Sequence, residues 1–518
     1  MKTLLAILGP GLIVMVGDND AGAFGTYTQA GQNYGTHLLW TLLLLIPVLY
    51  VNQEMVLRLG AVTGVGHARL ILERFGKFWG AFSVIDLFML NALTIVTEFI
   101  GITLACGYLG LPKIPAVILA AALVTGAVST GSFRRFERLC LVLVVGSLTL
   151  IPVYVIVHPS WGTMAHGFFV PNMPGGSGQL STVMLLIIAI VGTTVAPWQL
   201  FFQQSYVVDK RITPRFMSYE KTDLIIGIVL VIVGAAAMMG FCDAVFAGHP
   251  EFGHFTDAGG TAIGLGKYAS HAAGVLFAIA LLDASVIGAA AVGLATAYAT
   301  SDVLSINHSL HRPVTQAKGF YACYAGLMGI AASLVLIPGV PLGTLTSGVQ
   351  TLAGVLLPSA SVFLLLLCND KAVLGPWVNG IKTNIFTSIV VWVLVLLSVI
   401  LTASVLFPNI GGTAIMGVLG GGLILGAWIG AGLVIETRRT RRTAMQAELE
   451  AIFDGDDPPS ALPKMLTADR AIWRMPALNR LERPVMSIQR KAGLVTLRAY
   501  LVLAVVLVVV KLVAISVG

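Results

Sequence analysis

Two short stretches carry residue types that a plain apolar helix excludes. Val16-Gly17-Asp18-Asn19-Asp20-Ala21-Gly22-Ala23-Phe24 puts two carboxylates and a carboxamide into one apolar run, and Val191-Gly192-Thr193-Thr194-Val195-Ala196-Pro197-Trp198-Gln199 puts a proline deep inside another. Both begin Val-Gly and turn polar at the next residue. A charge at the centre of a bilayer costs about 2.5–3.5 kcal/mol on insertion scales, so Asp18 and Asp20 call for a partner. An intramembrane carboxylate set against the bared carbonyls of unwound backbone makes a cation site, and a neutral or anionic solute would gain nothing from Asp20. One proline or glycine in a membrane helix is ordinarily a kink. Two interruptions in corresponding places, one beside Asp20, favour two unwound helices that meet at the midplane.

The elements that must position these stretches follow from composition. Hydrophobic residues make up 57% of the 518 and charged residues only 11%, against about a quarter charged in soluble chains. A mean hydropathy of +0.90 leaves no room for a large soluble domain. The fold class is an all-α polytopic membrane protein with about thirteen spans of bilayer length. Spans 1 to 5 are Leu4 to Gly31, Leu38 to Val56, Phe78 to Leu109, Ile114 to Val128 and Leu139 to Val157. Spans 6 to 10 are Leu180 to Val207, Leu224 to Phe241, Ala272 to Ala297, Tyr321 to Ile337 and Leu345 to Leu367. Spans 11 to 13 are Ile385 to Leu406, Ala414 to Ile435 and Val495 to Val517. The interrupted spans 1 and 6 head two successive groups of five, the sequence mark of an inverted-repeat transporter. Span 1 has no small-residue cleavage site before Asp18 and is expected to stay in the mature protein.

Orientation follows from the basic residues. With a cytoplasmic N-terminus, 28 of the 31 Lys and Arg fall on the inner side and only Lys113, Lys267 and Lys511 on the outer. The positive-inside rule thus accounts for the net charge of +7 without nucleic acid. The expected division is a core over 1–435 (repeat one about 1–158, repeat two about 180–367, further helices 385–435), a basic cytoplasmic tail over 436–493 and an added helix over 494–518. In the tail, Asp454-Gly455-Asp456-Asp457-Pro458-Pro459 lacks the spacing of a calcium loop and reads as a linker, and its basic first part could lie on anionic lipid.

Other polar residues say less. Glu98 in span 3 is either a water-lining acid or a protonated structural group, and Asp86 and Asn91 read as capping or solvated residues near the inner end of that span. Asp283 in span 8 is a deep acid without an obvious partner and a candidate for the ion path. The histidines, mostly in outer loops (His158, His166, His249, His254, His271), are too scattered for a zinc set. The five cysteines have no CxxC spacing and read as buried apolar side chains.

These residues resemble a known family. Gly9-Pro10-Gly11 followed by Gly17-Asp18-Asn19-Asp20-Ala21-Gly22-Ala23-Phe24 is similar to the first helix of the natural resistance-associated macrophage protein (NRAMP) family, whose motif there is Asp-Pro-Gly-Asn, and Ala196-Pro197-Trp198-Gln199 sits where that family has Met-Pro-His-Asn. Thr97-Glu98-Phe99-Ile100-Gly101 and Leu357-Pro358 followed by Asn369-Asp370-Lys371 are further matches, and the likeness runs through about the first 430 residues. The resemblance implies a LeuT-type 5+5 inverted repeat and divalent cation transport, with Asp20 as the metal aspartate. It also marks departures: the asparagine ligand becomes Ala23, the thioether ligand Ala196 and the histidine of proton transfer Trp198, while two acidic positions beyond Glu98 become Ala105 and Tyr108. This pattern is similar to the NRAMP-related magnesium transporter branch. Asn19, the backbone of Ala196 and Gln350 join Asp20 as weaker metal candidates. Asp18, Glu98, Trp198, Gln199 and Asp283 are ion-path candidates; Asp18 either recruits hydrated cations or solvates the inner vestibule.

The chemistry of the departures points the same way. Thioether sulfur favours transition metals, so an oxygen-only site loses that preference. Mg²⁺ keeps several waters and takes one or two carboxylates, which a widened cavity permits. The expectation is therefore an uncoupled facilitator of Mg²⁺, with Mn²⁺ accepted, in the cell (inner) membrane, without a cofactor and with the cation and the bilayer as its partners; no obligate protein partner is evident. The alternatives are a proton-coupled Mn²⁺/Fe²⁺ carrier and a sodium-coupled organic-solute carrier, although Asp20 would repel a substrate carboxylate. An intramembrane enzyme lacks support, since no HExxH or GxSxG occurs.

Overall fold

The computed structural model describes residues 9–174, 180–406, 412–428 and 473–481, with a few isolated residues beyond. Most of the expected tail over 436–493 and most of span 13 lie outside the described residues. Among the described residues every regular element is a helix, and nine helices are long and apolar enough to cross a membrane. Shorter apolar helices, Lys113–Val128 and Gly412–Trp428, take the places of spans 4 and 12. Span 1 is two half-helices, Pro10–Asp18 (1a) and Ala21–Tyr34 (1b), each too short to cross alone.

The pairing of spans reveals the repeat. Span 1 packs on span 6, span 2 on span 7, span 3 on span 8 and span 4 on span 9. Each partner lies five spans further along the chain, as two inverted groups of five require, and the fold is the LeuT type. Spans 3 (Lys77–Tyr108) and 8 (His271–Leu304) run against each other over much of their length. Small residues permit this closeness: a β-carbon on Gly101 of span 3 would collide with the Ser285 hydroxyl of span 8.

Local chemistry fixes both breaks. Half-helix 1a begins at Pro10, whose missing N–H costs nothing at that position. Its first free N–H groups donate to the Asp223 carboxylate of span 7, from Gly11 at 2.7 Å and Leu12 at 3.3 Å, a cap supplied by a distant span. Asn19 (φ −79°, ψ +51°) leaves the helix. Asp20, in extended conformation, then caps 1b by accepting from the Ala23 N–H at 2.8 Å. Span 6 stops at Thr194 (half-helix 6a, Leu180–Thr194), passes through extended Ala196 and resumes at Pro197 (6b, Pro197–Asp209).

Span 5 differs from the plain helix expected. It runs as Phe133–Gly146, a 3₁₀ turn at Ser147–Thr149, then Leu150–Val157. The Ser147 and Thr149 hydroxyls each donate at 2.8 Å to a carbonyl three residues back, which competes with the regular ladder.

Candidate metal site at the two helix breaks

Three polar residues stand at the break, Asp18 as the last of 1a and Asn19 and Asp20 between 1a and 1b, and all three are buried. Asp18 has 0% exposure; one of its carboxylate oxygens accepts from the Gln199 amide of 6b and Oδ2 has no protein partner. This burial corrects the reading of Asp18 as a group that solvates the inner vestibule: the carboxylate ties half-helix 1a to 6b. The Asn19 amide reaches the Val231 carbonyl of span 7 at 3.4 Å, and its Oδ1 is left unpaired.

Asp20 joins spans 1, 3 and 8. Its side chain stands beside Glu98, both facing Gly288 of span 8, and Glu98 Oε2 accepts from the Ala21 N–H at 3.1 Å. Glu98 is fully buried and its Oε1 has no partner. It is therefore a member of the site, not an acid lining bulk water. Gly288 of span 8 makes room for the pair, since a β-carbon there would stand 2.6 Å from Glu98 Oε2 and 2.9 Å from the Asp20 β-carbon. Gln350 of span 10 lies against Gly22 at the start of 1b, with Nε2 unpaired.

The second break closes on the first. Gln199 reaches Asp18 and accepts from Gln53 of span 2 at 2.8 Å. Thr194, the last residue of 6a, meets the Tyr27 hydroxyl of 1b at 2.7 Å. The Ala196 carbonyl accepts the Gln199 N–H at 3.2 Å, and its side chain is only a methyl group. Trp198 is buried, its indole edge 3.7 Å from where a Gly17 β-carbon would stand and its Nε1 unpaired. Ala23 contributes its N–H to Asp20 and adds no donor atom of its own.

The structure thus gathers Asp18, Asn19, Asp20, Ala23, Glu98, Ala196, Trp198, Gln199 and Gln350 around two facing breaks. Asp283 is not among them. It sits beside Gly146, where a β-carbon would approach its Cγ at 2.7 Å, next to the 3₁₀ turn of span 5. Asn91 is neither capping nor solvated; it is buried and donates to Thr296 of span 8 at 2.8 Å. Asp86 borders a small cavity of about 10 Å³ with Pro197, Phe201 and Ser359. Gln53, Tyr27 and Thr194 are site neighbours that sequence reasoning missed, and the signal for Gln53 was its amide inside the apolar span 2. No group of three or more His, Cys, Asp and Glu among the described residues is arranged to hold a metal ion by itself. Any cation taken here would hold one or two carboxylates, neutral oxygens and water, which suits a hard ion.

Two half-helix pairs that break opposite each other around buried oxygens, within paired groups of five spans, define a LeuT-type transporter core. The family model described as natural resistance-associated macrophage protein-like matches residues 11–404, and the chain belongs to the NRAMP family of divalent metal transporters. A divalent metal cation transporter of Ralstonia nicotianae is 29% identical over 409 residues, covering 74% of this chain and 87% of that protein. One from Burkholderia ambifaria is 30% identical over 301 residues, covering 55% and 66%. The crystal structure of an Eremococcus coleocola manganese transporter in complex with an aromatic bis-isothiourea compound matches with a TM-score of 0.64 at 20% identity, over 85% of this chain and 96% of that one. At that identity the likeness speaks for the fold.

Proposed function

We propose that this chain carries Mg²⁺, with Mn²⁺ also accepted, as an uncoupled facilitator, with its N-terminus in the cytoplasm and its core in the cell (inner) membrane. The observation that carries the reading is the donor set. Asp18 Oδ2, Asn19 Oδ1 and Glu98 Oε1 are buried without protein partners at the meeting point of the breaks, and neither sulfur nor imidazole stands at positions 23, 196 or 198. Such oxygens, with Asp20 as the central ligand and Asn19, Gln350 and the backbone of Ala196 and Ala23 around it, favour an ion that keeps part of its water. A small cavity of about 10 Å³, bordered by Phe255, Asp257, Thr346 and Ala21, lies between the break and the 251–258 loop. Absence of coupling follows from Trp198, Ala105 and Tyr108, which interrupt any titratable chain leading from the site.

A second reading, proton-coupled Mn²⁺ transport, is favoured by the buried neighbours Asp20 and Glu98 at the break, two carboxyl groups that can share a proton. The manganese named for the Eremococcus structure points the same way. Proteoliposomes holding a pH-sensitive dye separate the two. Mg²⁺ influx with unchanged internal pH is expected, and either stoichiometric acidification or Mn²⁺ uptake indifferent to millimolar Mg²⁺ would overturn the proposal.

A further inference from the structure

The face richest in Lys and Arg carries a cavity that the metal site does not use. It spans about 290 Å³, open to solvent, and is bounded by Phe133, Arg134 and Glu137 of span 5, Lys210 and Arg211 beyond 6b, and His311 of the loop between spans 8 and 9. Three of these six are cationic and one is a carboxylate. Glu137 is engaged, its Oε1 lying 2.5 Å from Lys210 Nζ. The guanidinium groups of Arg134 and Arg211 have no hydrogen bond or ion pair with any described residue. The Phe133 ring stacks on the His311 imidazole (centroids 5.2 Å apart, 12° between planes), and His311 Nε2 is anchored 3.1 Å from the Asp209 carbonyl oxygen. The wall between the two arginines is therefore fixed. Arg211 itself adopts φ +61°, a left-handed conformation that favours glycine.

Two unpaired guanidinium groups on one cavity suit a tetrahedral oxyanion, to which the planar fork donates in pairs. Immediately along span 5, Leu139, Val142 and Val145 are exposed apolar residues suited to acyl chains, which puts Arg134 at the depth of lipid headgroups. We propose that this cavity binds a phosphate group, carried by an anionic lipid headgroup or by a soluble phosphate compound, and that the phosphate competes with Glu137 for Lys210. The competition bears on transport. Glu137 Oε1 and Lys210 Nζ lie 2.8 and 3.1 Å from where a Gly9 β-carbon would stand, so the ion pair abuts the foot of half-helix 1a, which ends at Asp18. A phosphate that draws Lys210 away loosens the contact holding that foot.

The test uses the full-length protein in detergent and reads binding, so it stands whichever ion is carried. ATP is titrated by calorimetry without added lipid, and phosphatidylglycerol and phosphatidic acid are scored as retained adducts by native mass spectrometry. One saturable site per chain for at least one probe is expected, weakened about tenfold or more by R134Q/R211Q, which corresponds to about 1.4 kcal/mol. R134K/R211K, which keeps the charge and loses the fork, should recover part of the affinity, and E137Q should bind more tightly than wild type. ATP binding alone assigns a soluble ligand, and lipid retention alone assigns a headgroup. Failure of every probe to saturate, or binding indifferent to R134Q/R211Q in a variant that elutes and melts like wild type, would overturn the site. Unchanged affinity in E137Q would overturn the competition for Lys210.

Discussion

Gly288→Ala tests the arrangement around Asp20 without touching a charged group. The added methyl would stand 2.6 Å from Glu98 Oε2 and 2.9 Å from the Asp20 β-carbon, where ordinary contact begins at 3.4 Å. The two side chains must therefore retreat by about 0.5–0.8 Å, the shortfall between those distances, which reaches or exceeds the roughly 0.5 Å within which a preorganised site must be held. Alanine gains about 0.8–1 kcal/mol in helix propensity over glycine, whereas overpacking costs about 1–3 kcal/mol. Net stability should then change by at most about 2 kcal/mol, a loss the fold can survive. Mg²⁺ flux in proteoliposomes should nevertheless fall by about tenfold or more, because the ligand geometry shifts. Gly126→Ala in span 4 is the control, since a β-carbon there meets nothing within 4 Å; flux should be unchanged and stability slightly raised. Wild-type flux in Gly288→Ala, with the Tm also unchanged, would refute the packing of Asp20 and Glu98 against span 8 as a condition of transport.

Asp20→Ala should reduce Mg²⁺ uptake to the background of empty vesicles while the protein still purifies as a folded species, and uptake near wild type would remove Asp20 from the site. The double variant Ala23→Asn with Ala196→Met restores a carboxamide and a thioether, and competitive uptake should show a shift toward Mn²⁺ or Cd²⁺ of about tenfold, the worth of one good ligand at about 1.4 kcal/mol. His67, buried between Gln204 and Phe201, has its pKa pushed down by burial to about 4, from an ordinary value of about 6.5. The unfolded chain therefore takes up this proton first, so stability present above about pH 6.5 is lost as pH falls toward about 4, by at most about 3 kcal/mol. His67→Gln should flatten that acid limb in a Tm-against-pH series, and parallel curves for wild type and variant would show that His67 does not set it.

The two breaks were legible because they violate a local rule: Asp18, Asn19, Asp20 and Pro197 are residues that apolar helices reject, so their cost signals a use. The five-by-five arrangement was legible for the same reason, from the spacing of those violations. What escaped reading depends on partners remote in sequence. Asp223 caps half-helix 1a from 212 residues away, and its surroundings in span 7 give no hint of that duty. Gln53 and Gln199 meet across 146 residues. The 3₁₀ turn in span 5 arises from two hydroxyls folding back on their own helix beside Asp283, a choice that propensity alone does not make. Asp283 looked like Glu98 in sequence, a lone acid in an apolar span, yet Glu98 points to the break and Asp283 to span 5; only the rotation of each helix about its axis distinguishes them.

The residues leading from Asp18 toward the Lys/Arg-rich face are amides. Gln199 binds Asp18, Gln53 binds Gln199, and Asn52 and Gln203 lie nearby in spans 2 and 6b, buried and with no protein partners for their side-chain nitrogen and oxygen atoms. Half-helix 6b runs from the break to the Lys/Arg-rich face, so Gln199 and Gln203 lie in succession along that direction. An amide offers one oxygen and two N–H groups and does not change its protonation state near neutral pH. Such a row can exchange hydrogen bonds with the waters of a passing cation at small cost, and it cannot pass on a proton by titration. With tryptophan at 198, the proposed function has only the metal ion and its retained water move charge along this path. That physical distinction, between a path that hydrates and a path that titrates, is what connects Gln53, Gln199 and Gln203 to the proposed uncoupled transport of a strongly hydrated ion.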